Sequence, residues 1–150
     1  MTHSSTPLQQ DSAPPSARWL RAIGYGLFAE IATIITIVLV VVFYQYVFAR
    51  GLTKDAYTLV GQHIGAIIGP VGGTLYVFVF ARRLMPKISS GFVAHGIVVA
   101  LAAIALSIGG SIAGHNGLPA GYTLASALKI IAGASAGFLH QRFFAPNRTV

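Results

Sequence analysis

Four long apolar stretches separated by three short polar breaks dominate the chain, at about 20–47, 58–83, 90–112 and 121–144. Each is near or beyond the ~20 residues that cross a bilayer as a helix. None alternates apolar and polar positions as a barrel strand must, and lipid offers unpaired backbone groups no partner, so the pattern predicts four membrane-spanning helices. The breaks have local causes. "ARGLTKD" ends the first stretch, "RRLMPKISS" supplies charge, Pro86 and capping serines, and "GHNGLPAG" is an Asn-Gly and Pro turn.

Residues 1–17, "MTHSSTPLQQDSAPPSA", hold almost nothing to bury and read as a disordered cytoplasmic tail. The run from Trp19 to Phe48 far exceeds the ~7–15 apolar residues of a cleavable signal, and no small-x-small cleavage site follows it. It reads as a retained anchor. The first span outruns the bilayer, so it should tilt or project, with Phe43, Tyr44, Tyr46 and Phe48 at the outer interface.

Charge placement predicts the threading. With the N-terminus inside, Arg18, Arg21, Arg82, Arg83, Lys87, Arg142 and Arg148 are cytoplasmic, and only Arg50 and Lys54 lie outside. This bias predicts N-in, C-in with four spans. Sliding the chain 65 positions against itself pairs "GLFAE" (26–30) with "GFVAH" (91–95), "AYTL" (56–59) with "GYTL" (121–124), and Gly72 with Gly137. That register predicts two tandem helical hairpins of the same orientation, related by an axis along the membrane normal.

The second span carries Gly61, Gly65, Gly69 and Gly73 at four-residue spacing, with Gly72 beside the last. Residues four apart share a helix face, so these make a groove where a neighbouring backbone can approach closely, the main attraction between helices in lipid. The fourth span has a shorter version, Gly133 and Gly137 among alanines, and the two helices are expected to pack on each other. Packing within the bundle and a seam for self-association or a narrow pore both fit the groove. Pro70 interrupts it and marks a kink or hinge.

A few side chains do not belong in hydrocarbon. Glu30 falls near mid-membrane, on a stripe with Gly26, Ala29, Thr33 and Thr36. A carboxylate there costs at least ~2.5 kcal/mol and must face protein or water. His95 occupies the matching place in the second hairpin, and Lys129 either turns inward to Glu30 or snorkels outward. Glu30, His95 and Lys129 thus form a candidate polar network: a structural pair, a proton- or cation-coupling site, or a docking contact for a partner helix. His63 reads as a wetted interfacial residue, and His3, His115 and His140 fall in a tail, a loop and a helix end.

Composition agrees with the spans: 55% of the 150 residues are hydrophobic and 9% charged, too little charge to cover a soluble domain. There is no cysteine, hence no disulfide or thiolate chemistry. The net charge of +7 comes from basic residues at the ends of apolar runs, which argues against a nucleic-acid partner. No nucleophile elbow, phosphate loop, paired acids or i, i+4 histidine pair is present, so no enzyme, cofactor or metal site is expected.

"YGLFAEIAT" (25–33) resembles the first helix of small multidrug resistance transporters, a resemblance that implies Glu30 as a proton-coupling carboxylate. It covers about nine residues. The chain is longer, its second and fourth spans lack that family's aromatic face, and its charge bias is stronger, so membership is not assigned. The expected protein is a non-enzymatic, multi-pass bundle of the bacterial inner membrane that self-associates or serves another membrane protein. The alternative is a proton-coupled small-solute or cation transporter centred on Glu30, its substrate unknown.

Overall fold

A computed structural model describes residues 15–48, 50–51, 53–114, 117 and 121–144. They form four helices: α1 (Pro15–Val47), α2 (Lys54–Leu84), α3 (Phe92–Ala113) and α4 (Tyr122–Phe144), with a 3₁₀ turn, Met85–Lys87, after α2. All four are long and apolar enough to cross a membrane. Helix α1 starts inside the segment read as tail; the rest of that segment, with His3, His115 and Arg148, lies outside the described residues.

The helix ends follow from their chemistry. Gly51 at φ 88° turns the chain out of α1, a left-handed conformation that glycine adopts without strain. Asp55 lies in the first turn of α2, and Arg82 and Arg83 in its last, each matching the charge of that helix end. Gly91, at φ 68°, swings the chain into α3. Helix α2 continues without a break through Pro70, and the Thr74 hydroxyl donates to the Pro70 carbonyl at 2.6 Å.

The helices pack as a ring in the order α1, α2, α4, α3, with α1 and α4 on opposite sides. The interior is small: Ala22, Ala29, Ala81, Ala100, Ala103 and Ala136 are fully buried. Val77, Leu84, Met85 and Val99 are buried with them, but many large apolar side chains point outward, with Ile67 at 65%, Val71 at 68%, Ile112 at 70% and Leu124 at 67% exposure. Water would reject so continuous an apolar exterior, and hydrocarbon accepts it.

The tightest contacts are backbone to backbone. A Cβ on Gly96 of α3 would overlap the Gly133 carbonyl of α4, and one on Gly133 would overlap the Gly96 carbonyl. One on Gly137 would strike Phe92 and Val93, and one on Gly26 would strike Val99. Gly133 and Gly137 therefore seat α4 against α3, not against α2 as their resemblance to the α2 pattern suggested. Helices α2 and α4 are neighbours too, but they meet where Gly73 lies against the stem of Lys129.

The pairs differ in reach. Glu30, Gly73, Ser107 and Lys129 lie at one level, brought together by direct contacts. From that level towards the α1–α2 connection, α1 runs on to Val47 and α2 extends back to Lys54, about 25 Å or more at ~1.5 Å per residue. In the same direction α3 ends at Ala113 and α4 begins at Tyr122, only about 10 Å away. Helices α1 and α2 overhang the other pair by about 15 Å. At the other end, which carries Arg18, Arg21, Arg82, Arg83, Lys87 and Arg142, α1, α3 and α4 all finish about 22 Å from the same level.

Candidate functional site

Inside the ring lies a polar centre built by three helices. Glu30 comes from α1, Ser107 from α3 and Lys129 from α4; Glu30 and Lys129 are 6% and 5% exposed. The Lys129 ammonium meets Glu30 Oε2 at 2.6 Å, the Ser107 hydroxyl donates to Glu30 Oε1, and Lys129 Nζ also reaches Ser107 Oγ at 3.3 Å. Both carboxylate oxygens are occupied, and the pair is neutral as a unit. Such geometry is what low dielectric demands, because either charge alone would be costly there.

The surroundings fit the pair. Gly73 leaves room for the lysine stem: a Cβ there would stand 2.6 Å from Cε and 3.3 Å from Nζ. Buried Thr33 returns its hydroxyl to the Ala29 carbonyl at 2.9 Å. Thr36, one turn further along α1, donates to the Ala32 carbonyl and shares a hydrogen bond with the Tyr76 hydroxyl of α2, each at 2.8 Å. The Tyr122 hydroxyl donates to the Ile104 carbonyl at 3.1 Å, tying α4 to α3. These hydroxyls thus find partners inside the protein, whereas His95 Nε2 and Ser126 Oγ are buried without one among the described residues.

His95 is not part of this centre. It sits in the first turn of α3, where its ring stacks on Trp19 with centroids 4.2 Å apart and planes 8° from parallel. Its Nδ1 lies 2.8 Å from the Gly91 carbonyl, which can only accept, so Nδ1 carries the hydrogen. Glu30 and His95 share a register in sequence but not a depth: fifteen residues of α1 precede Glu30 and three of α3 precede His95. His63 is exposed on α2, and His140 lies between the rings of Phe92 and Phe144. Among the described residues no three histidines or acids gather as a metal site would require.

The other sequence-selected glycines divide. Gly73 is filled by Lys129, whereas a Cβ on Gly65 or Gly69 would meet nothing within 4 Å; one on Gly61 would just touch Val41, and one on Gly72 only Ile68 of its own helix. Ser107, Tyr76, Tyr122 and Trp19 were not singled out from sequence. Ser107 had a signal, being a hydroxyl between leucine and isoleucine in a helix whose other polar side chains are His95 and Ser111.

No known family, curated protein or solved structure matches this chain, including the transporter family whose first helix "YGLFAEIAT" resembles. Fold and site together define a class: a helical, multi-pass type of protein with four candidate membrane spans closed around a buried ion pair.

Proposed function

We propose a non-enzymatic integral membrane protein that works by helix association, as a homo-oligomer or as an accessory subunit of a membrane complex. It sits in a bacterial inner membrane with both termini cytoplasmic and consists of two tandem hairpins. The charge bias of the sequence supports that orientation.

One observation carries the association reading. Gly61 and Gly65 lie on the part of α2 that overhangs α3 and α4, Gly69 lies just short of it, and among the described residues a Cβ on Gly65 or Gly69 would meet nothing within 4 Å. Gly65 and Gly69 each give up about 1 kcal/mol of helix propensity in water relative to alanine, while the space a side chain would fill stays open at both. A second backbone from outside would fill that space, because close approach is how helices attract in lipid.

Gly65→Leu and Gly69→Leu should reduce crosslinked oligomer or partner adducts in native membranes by about tenfold, the effect of ~1.4 kcal/mol, and leave the monomer's thermal midpoint unchanged. Unaltered adducts in both variants would overturn the reading.

A second reading, proton or cation coupling, rests on the burial of Glu30 beside Lys129 and Ser107. It requires Glu30→Gln to abolish proton-linked flux in proteoliposomes while the protein still inserts and folds. Association that persists in Glu30→Gln, with no flux in the parent protein, decides for the first reading.

A further inference from the structure

The two sides of the buried ion pair are unlike. Towards the basic end the interior is apolar and closed: Ala22 of α1, Val77 and Ala81 of α2, Val99 and Ala100 of α3 and Ala136 of α4 have no exposed surface. Backbones shut this side as well, Gly96 against Gly133 and Gly26 against Val99, with no room for a Cβ. Those six side chains offer a water or a proton nothing to bond.

Towards the α3–α4 connection the same interior carries hydroxyls. Tyr122, Ser126 and Lys129 are spaced four and then three residues apart, so they share one face of α4. Ser107 and Ser111 share a face of α3 in the same way, close to its end at Ala113. The Tyr122 hydroxyl reaches from the first residue of α4 to the Ile104 carbonyl, and the side chains of Ser107 and Ser126 lie beside it. Glu30 and Lys129 keep a little exposed surface, unlike the six residues on the other side. The pair is also only about 10 Å from this end of α3 and α4, against about 22 Å from the basic end.

One group here has its bonding unfinished. Ser126 Oγ is buried with no hydrogen-bond partner among the described residues. A buried hydroxyl in that state is costly, and a bound water, which makes about three hydrogen bonds, is the common remedy.

We propose that Ser126, Ser107 and Tyr122 hold a water beside the Glu30–Lys129 pair, and that this water is the pair's entry for protons, open to the α3–α4 connection and not to the basic end. The Tyr122 ring is its cover. With its hydroxyl on Ile104 it lies between the water and the aqueous face, and the pair stays enclosed until the ring turns away. The inference goes beyond both readings of function, because the route exists whether or not the pair drives flux.

The chain has no cysteine, so single cysteines report access directly. Ser126→Cys is probed in sealed vesicles of both orientations with a membrane-impermeant cationic methanethiosulfonate. That reagent attacks a thiolate, which forms where water reaches, so labelling reads hydration as well as access. Gly117→Cys and Ser90→Cys, both at exposed positions, mark the two faces. Ser126→Cys should react only from the face that labels Gly117→Cys, and Ala100→Cys and Ala136→Cys should react from neither. Tyr122→Ala should speed labelling of Ser126→Cys about tenfold, as removal of a cover open ~10% of the time would. Circular dichroism and the thermal midpoint show that each variant is folded, and the comparison of faces keeps the parent Tyr122.

Labelling of Ser126→Cys from the face that labels Ser90→Cys, or from neither face even with Tyr122→Ala, overturns the proposal. So does modification of Ala100→Cys or Ala136→Cys as fast as that of Ser126→Cys. An unchanged rate in folded Tyr122→Ala removes the cover.

Discussion

Lys129→Met should lower the stability of the folded bundle by about 3–5 kcal/mol, because it leaves Glu30 buried without its counter-ion. Glu30→Gln should cost a similar amount by stranding the ammonium. The double variant should recover most of the loss, since removing both charges also removes the need to match them. Reversible unfolding in mixed detergent micelles gives all four corners of this cycle, and a coupling of at least ~2 kcal/mol is expected. Single losses below about 1 kcal/mol would mean that the pair is solvated, against the burial of both residues.

The second large effect is steric. Gly133→Leu and Gly96→Leu should each prevent the native α3–α4 contact, since even a Cβ at these positions overlaps a carbonyl across the interface. Overpacking of rearrangeable side chains costs about 1–3 kcal/mol. Backbone against backbone cannot re-rotamer, so the loss should exceed that range and appear as failure to isolate folded protein. Gly65→Leu, the same exchange where a Cβ would meet nothing within 4 Å, should leave the isolated chain as stable as the parent. If Gly65→Leu unfolds the protein and Gly133→Leu does not, the packing described above is wrong.

Element positions were legible because their signals are one-dimensional. Apolar run length and the breaks "ARGLTKD", "RRLMPKISS" and "GHNGLPAG" bound the helices within about five residues of where they lie. Glu30 was legible as a residue needing a partner, and Lys129 as one candidate for it. What sequence could not show is which face of each helix turns inward. In a soluble helix polarity marks the outside, but here both sides are apolar and the sequence has little periodic asymmetry to read.

The errors of register have the same origin. Matching at an offset of 65 aligned Glu30 with His95, but how far each lies along its helix depends on where that helix starts, and α3 starts much closer to His95 than α1 does to Glu30. Glycine spacing likewise identified faces suited to close approach without naming their neighbours. Of the α2 set, Gly73 receives a lysine stem, and Gly133 and Gly137 of α4 receive α3. Ser107 became visible as a ligand of Glu30 only through the three-helix junction.

The overhang of α1 and α2 has a consequence for the surrounding bilayer. A protein about 15 Å taller on one flank presents lipid with a step, and neighbouring acyl chains must stretch on the tall side or that flank must lean. Either response stores elastic energy in the membrane that vanishes where two tall flanks meet or where the membrane is thicker. The association proposed above would thus gain a bilayer-borne contribution, independent of any contact between side chains.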